Sequence, residues 1–420
     1  MTAAAPLDRR SLVLAALSTV VEWYDFTLFL YFATVLSRLF FVGQNAVLTT
    51  LAGFALAYLM RPLGAMAFGH FGDRHGRRAT LLVSMAMMSV AMLLSALLPT
   101  VAQIGPAAGL LLLLLRCVMG FAVGGEYTGV VAYLMEGAKP HRRGIVTSMA
   151  AATSEVGGLL AAGVCALTVS LIPAPALDSW GWRIPFLFGA ALAGTILIAR
   201  ATMRESPEFE DRRAQGTLVR SPLRHAASRH RAGIARGFAI SALGPITYYI
   251  GITYLPIYLV SVGSLSEAAA LRLAIVPAIV VIVVTPGVGW LADRLGRTPV
   301  LVVLALLAAV LPYLAFGLLA RADASFAMIG AVVLAALAGS VSAVGAIATA
   351  EQVPAEGRLS GLALGATSAT ALFGGLTPWV AQWLVERTGS TAAPGIMIAL
   401  VSLVVLPVLM TMPETRPRQR

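Results

Sequence analysis

The stretch Gly69-His70-Phe71-Gly72-Asp73-Arg74-His75-Gly76-Arg77-Arg78 sits between two long apolar runs and has a counterpart half a chain later, Gly289-Trp290-Leu291-Ala292-Asp293-Arg294-Leu295-Gly296-Arg297. The two agree at both glycines, the aspartate and both arginines. A repeat in the same direction at that interval implies two similar halves, and matching charged turns must lie on the same side of whatever those halves cross.

What they cross follows from composition. With 59% hydrophobic and 12% charged residues, the chain lies outside the soluble range, where charged residues alone reach about 25%. A spanning helix takes about 20 apolar residues, so 420 residues accommodate about twelve spans. Hydropathy places them near 11–37, 45–70, 79–98, 106–136, 144–171, 183–203, 233–260, 267–292, 299–320, 325–350, 359–386 and 391–412. The expected fold is an all-α membrane protein of twelve transmembrane helices in two pseudo-symmetric six-helix halves. Residues 1–203 form the first half and 233–420 the second. The arginine-rich stretch 204–232, without apolar periodicity, is the cytoplasmic linker between them.

Basic residues alternate along the connections, and the basic side of a membrane protein faces the cytoplasm. Arg9 and Arg10, Arg74 to Arg78, Lys139 to Arg143, the linker, Arg294, Arg297, Arg358 and Arg416 to Arg420 all fall on one side. The chain is therefore expected in the inner (cytoplasmic) membrane with both termini cytoplasmic. This asymmetry accounts for the net charge of +11, so a nucleic-acid partner is not required. Arg9, Arg10 and the apolar run to Val21 resemble an export signal, but Glu22 and Asp25 interrupt it and hydrophobicity resumes, as in a retained first helix. Cys117 and Cys165 fall inside spans, no disulfide is expected, and no Cys/His cluster has metal-ligand spacing.

Charges within spans carry the functional signal, because each is costly unless it faces a partner or water. Glu22 is near the bilayer midplane, with Asp25 almost one turn on and Trp23 and Tyr24 between them. The fourth span carries both Arg116 and, after Gly124-Gly125, Glu126 and Tyr127. Arginine holds a carboxylate by a bidentate fork, whereas a desolvated glutamate can exchange a proton. Arg61, before Pro62, lies closer to the cytoplasmic end and is expected to snorkel. Glu155 is a mid-membrane acid with no basic residue within a helical turn. The seventh span adds Tyr248, Tyr249, Tyr254 and Tyr258, with Pro245 and Pro256 able to break the helix. For each charge, an ion pair or hydrogen bond between helices is the alternative to a functional role.

Several strings together carry a resemblance. They are Val21-Glu22-Trp23-Tyr24-Asp25-Phe26, Arg61-Pro62-Leu63-Gly64, the Asp73 turn, Gly124-Gly125-Glu126-Tyr127, Trp180-Gly181-Trp182-Arg183-Ile184-Pro185-Phe186, Arg204-Glu205-Ser206-Pro207-Glu208-Phe209 and Gly374-Gly375-Leu376-Thr377-Pro378. On these the chain resembles a major facilitator superfamily transporter of the metabolite:proton symporter family, which includes proline/betaine, citrate and α-ketoglutarate symporters. The Asp73 turn specifies only the superfamily; Trp180 to Phe186 with Glu22 to Phe26 is far more specific. Glu155 stands where the resemblance leads one to expect no acid. The coiled-coil tail of the osmosensory proline/betaine member is not expected after Pro413-Glu414-Thr415-Arg416.

The resemblance implies a proton-coupled symporter, not an enzyme, moving a small organic solute, most readily a carboxylate, by alternating access. The alternatives are a zwitterion or osmolyte symporter, an exporter, and a non-transporting receptor. Glu22, Asp25, Glu126 and Glu155 are the candidate proton carriers. Trp23, Tyr24, Arg116, Tyr127, Glu155, Tyr248, Tyr249 and Tyr254 are the candidate solute contacts, with Arg116 on the carboxylate. Asp73, Arg74, Arg77, Asp293, Arg294, Arg297 and Arg358 are the candidate cytoplasmic gate. In that gate Asp73 ties its half to the start of the eleventh span, a contact expected only while the cytoplasmic side is closed. No cofactor is expected beyond the proton gradient. The partners are the solute, protons and the lipid bilayer, and the chain is expected to function as a monomer.

Overall fold

The computed structural model describes residues 9–43, 45–75, 77–124, 126, 131, 140–201, 228–262, 265–321, 323–353 and 358–416. Among them every regular element is helical. The first half contains α1 (Arg9–Tyr31), α2 (Ala33–Phe40), α3 (Ala46–His75), α4 (Arg77–Leu97), α5 (Ala107–Val123), α6 (Arg143–Leu171) and α7 (Arg183–Ala201). The second contains α8 (Arg231–Tyr248), α9 (Leu255–Ser261), α10 (Glu267–Leu295), α11 (Arg297–Leu319), α12 (Ala324–Glu351), α13 (Arg358–Leu362), α14 (Thr377–Thr388) and α15 (Ala393–Thr411).

Among the described residues seven helices are long and apolar enough to cross a membrane, or nine when each of two bent pairs is one span. Shorter apolar helices over 82–97 and 107–123, and the interrupted run 358–388, occupy the remaining positions of a twelve-helix fold. The lipid-facing surface explains the exposed Leu110, Ile198, Val283 and Val404, since apolar side chains need no burial in protein when hydrocarbon surrounds them.

Three spans are broken, among them the seventh, where the sequence places Pro245 and Pro256 as residues able to break the helix. The first bends by 65° at Phe32, between α1 and α2, where neither proline nor glycine stands. The seventh bends by 48° between the π-helical turn Tyr249–Thr253 and α9. Pro256 lies in the first turn of α9, where its missing N–H costs nothing and its fixed φ starts a new helix. The eleventh contains π-helical turns at Ala363–Thr367 and Ala371–Gly375 before α14 begins. Such turns leave carbonyls without their usual partners, and a membrane protein tolerates this only where protein or an aqueous cavity faces them.

Small residues set the closest approaches. Helices α3 and α5 cross at Gly64 and Gly120, where a Cβ on either would strike the backbone carbonyl of Phe121 or Ala57. Contacts between the halves concentrate in two seams related by the repeat. One joins α6 to α10 through Gly144, Ser148 and Gly289. The other joins α3 to residues 371–388, with Gly375 against the Tyr58 ring.

Candidate functional site

A cavity with about 980 Å³ of empty space, counting its mouth, lies between the halves. From α1 come Glu22 and Trp23, from α3 Arg61, from α8 Ile240, Ser241 and Tyr248, and from the π turn Tyr249. It runs from Glu22 toward the end of the bundle that bears the basic connections, where Val131, Ala350 and Leu362 line it. The helix breaks supply its irregular wall: Tyr249, Ala366 and Thr367 all sit in π-helical turns.

Arg61 is the arginine among the described lining residues, and the snorkelling position expected for it is not where its guanidinium lies. It is buried, 3.1 Å from Glu22 Oε1, with its guanidinium carbon over the Phe26 and Tyr58 rings at 4.1 and 4.0 Å from their centroids. The rings meet the guanidinium through their π faces, and its hydrogen bonds run from the N–H groups along the edges of the fork. Glu22 takes part of one edge, while the Arg61 Nε has no hydrogen-bond partner. The Tyr58 and Tyr249 hydroxyls bond each other across the two halves, and Trp23 packs edge-to-face on Tyr248 with centroids 5.0 Å apart.

The other expected contacts divide. Tyr248 and Tyr249 line the cavity as expected of pocket residues. Arg116 does not: its Nη1 binds Asp25 Oδ2 at 2.8 Å and its Nη2 binds Ser95, all buried inside the first half. The fork expected to hold a solute is thus engaged by Asp25, and Asp25 itself lies away from the cavity. Glu126 accepts from Arg200 Nη2 at 2.6 Å and from Ser84, an ion pair between the fourth and sixth spans. Tyr24 donates to the Pro185 carbonyl at 2.7 Å, and Tyr254 donates to Gln382 at 2.7 Å. Both tyrosines are structural posts within their own halves. Glu155 does not line the cavity but accepts from the Tyr248 hydroxyl at 3.0 Å, so it stands directly behind that wall. Tyr127 lies outside the described residues.

Of the expected gate, the side chains of Asp73, Arg74, Arg77 and Arg358 lie outside the described part. Asp293, repeat mate of Asp73, accepts from the amides of Gly144 and Ile145, each at 2.9 Å. These are orphan donors at the start of α6, where the helix dipole also favours a carboxylate. Arg297 is fully buried and reaches Asp293 at 3.1 Å and Glu351 at 3.2 Å. Arg294 stacks on Trp290 at 4.2 Å instead of pairing with an acid. The tie at Asp293 coexists with a cavity that reaches the basic end, contrary to the expectation that such ties require that end closed. The seam between α6 and α10 and the cavity mouth, lined by Val131, Ala350 and Leu362, occupy different parts of the interface.

Two connections escaped the sequence reading. Glu414 accepts from the amides of Arg297 and Thr298 at 3.0 and 2.9 Å, capping the start of α11. At the opposite end of the bundle, Arg38 binds Asp178 of its own half at 3.0 Å and Glu267 of the other half at 2.5 Å. Both involve partners more than a hundred positions apart, for which the sequence carries no local signal.

Comparison with known proteins places this geometry. A sugar (and other) transporter family model matches residues 11–216, and a major facilitator superfamily model matches 264–420. The citrate-proton symporter of Klebsiella pneumoniae is 33% identical over 387 residues, covering 91% of this chain and 87% of that protein. The proline/betaine transporter of Escherichia coli (strain K12) is 31% identical over 422 residues, covering 98% and 84%. Among solved structures, the proton:xylose symporter XylE bound to 6-bromo-6-deoxy-D-glucose superposes with a TM-score of 0.78 at 19% identity, covering 97% of this chain and 96% of that one. With two matched halves, a central cavity and full-length relatives, the chain belongs to the major facilitator superfamily, within the metabolite:proton symporter family, and is a membrane transporter, not an enzyme.

Proposed function

We propose that the chain is a symporter coupling proton movement to transport of a small organic carboxylate, with Glu22 as the proton carrier and Arg61 as the carboxylate anchor. The observation that carries this reading is their contact at the cavity wall. A solute carboxylate arriving at Arg61 competes with Glu22 for the same fork. A buried acid that loses its cation is left as an unpaired charge in an apolar wall, and taking up a proton removes that cost. Solute binding and protonation therefore favour each other, which is the linkage a symporter needs.

The halves 1–203 and 233–420, joined by the linker 204–232, alternate access to this site by rocking about their interface. The basic connections face the cytoplasm, with both termini on that side of the inner membrane. The cavity then opens inward while Arg38, bridging Asp178 and Glu267, closes the outer end. The proton gradient is the sole driving force, no cofactor takes part, and a single chain suffices for transport. A zwitterionic osmolyte is the second reading, supported by the proline/betaine relative.

Glu22→Gln tests the coupling. In proteoliposomes this variant is expected to lose accumulation driven by a pH gradient while retaining solute exchange. Full uphill accumulation by Glu22→Gln would remove the residue from the proton role. Arg61→Lys, which keeps the charge but not the planar fork, is expected to weaken carboxylate binding about tenfold.

A further inference from the structure

The cavity's charges and its wall point to one class of solute. We infer that the transported carboxylate is a monocarboxylate with an apolar, aromatic-sized body, moved with one proton in an electroneutral step. This rests on the symport reading and narrows its substrate.

The charge balance comes first. Among the described lining residues Arg61 is the only cation and Glu22 the only anion. When a monocarboxylate takes the fork and a proton from water neutralises Glu22, the site again holds one positive and one negative charge. A second or third solute carboxylate has no described cation to meet it, and an unpaired charge against an apolar wall is strongly disfavoured. The solute charge that Arg61 balances and the proton that Glu22 takes up match one for one.

The wall sets the body. Val123, Ile240, Pro245, Val341, Ala346 and Ala366 face the cavity. Its hydroxyls are mostly spent within the protein: Ser241 and Thr349 bond each other at 3.2 Å, and Thr370 donates to the Ala366 carbonyl. Of the three threonines on the wall, Thr367 alone has a hydroxyl with no partner. A polyhydroxylated or many-armed acid would leave most of its polar groups unmatched here, whereas an apolar ring is matched over most of its surface.

The aromatic residues do not form a cage for a cation. Arg61 already covers the Phe26 and Tyr58 faces, and Trp23 packs edge-to-face on Tyr248 and stacks with Tyr249 at 6.3 Å. A quaternary ammonium needs open aromatic faces.

Benzoate, citrate and glycine betaine separate the possibilities. Calorimetric titration of the purified protein is expected to show benzoate binding about tenfold or more tighter than either of the others. That order is read on the unaltered protein, so it does not depend on whether Arg61→Gln folds; where it folds, that variant is expected to lose benzoate binding. Proteoliposomes containing a trapped pH dye are expected to take up protons with benzoate faster than protein-free vesicles, without a transport current on a supported membrane. Tighter binding of citrate or glycine betaine, or a current with benzoate, overturns the inference. Proton uptake with citrate or glycine betaine but not benzoate overturns it while leaving symport standing. Proton uptake with none of the three overturns both.

Discussion

The Tyr248 hydroxyl donates to Glu155 Oε2 at 3.0 Å, joining the seventh span to the fifth across the interface of the two halves. Tyr248 also lines the cavity, so this bond connects the solute-facing wall to the opposite half. Any rocking of one half against the other must break or carry it.

Removing the donor tests that connection. A buried hydrogen bond contributes about 0.5–1.5 kcal/mol, so Tyr248→Phe is expected to change the balance between inward- and outward-facing states by up to about tenfold. Turnover should fall while solute affinity changes little. Glu155→Gln keeps an acceptor oxygen and is expected to retain most of the turnover and all of the proton coupling. Uncoupled transport by Glu155→Gln, measured as solute exchange without gradient-driven accumulation, would move the proton role from Glu22 to Glu155.

Glu126 is expected to serve stability, not coupling. Glu126→Gln removes the carboxylate that Arg200 Nη2 meets at 2.6 Å and should cost about 1–3 kcal/mol, read as a lower thermal midpoint in detergent. Replacing both partners with uncharged side chains of similar size should recover much of that loss. Normal stability of Glu126→Gln together with failed uphill uptake would show that the pair has a transport role after all.

The tie at the start of α6 gives a conformational prediction. Asp293→Asn can offer only one acceptor oxygen to the Gly144 and Ile145 amides and loses the charge beside Arg297, a weakening of about 1–2 kcal/mol. Transport is expected to slow while solute binding persists, and cysteines placed near the basic end of α6 should react faster with a thiol reagent. Cys117 must be replaced for this measurement because it is not fully buried. The repeat makes Asp73→Asn the parallel experiment in the first half, with the same expected outcome. Unchanged turnover and reactivity in both would reduce these acids to solvated turn residues.

Glu414 sets a pH dependence outside the spans. Its partial burial acts to raise its pKa, but the amides of Arg297, Arg416 and Thr298 and the Arg297 charge outweigh it and hold the carboxyl below the ordinary glutamate value of 4.5. A depressed pKa contributes stability that is present above the unfolded value and lost as pH falls through the folded one. Because the group is largely exposed, the contribution is small. Wild type is therefore expected to melt slightly above Glu414→Gln near neutrality, with the gap closing as the medium is acidified below 4.5. A gap that persists in acid would mean that the side chain acts by packing and not by charge.

Sequence alone determined that this chain crosses a membrane many times, in two related halves, with its basic connections gathered on one side. Those properties are carried by local composition and by the repeat at Asp73 and Asp293, and the hydrocarbon solvent enforces them residue by residue. It also marked the mid-membrane charges, because a charge in an apolar run is conspicuous wherever the run folds. Tertiary structure decided which charge meets which. Asp25 and Glu22 share one helix and differ by less than one turn, yet Asp25 is consumed by Arg116 and Glu22 faces Arg61 at the cavity. Arg61 looked like a residue near a helix end, and only the tertiary structure packs it against the Phe26 and Tyr58 rings at the cavity wall. Pairing of this kind depends on how helices distant in sequence cross, and those crossings are set by close contacts such as Gly64 with Phe121 and Gly375 with Tyr58. No periodicity within a single helix encodes them.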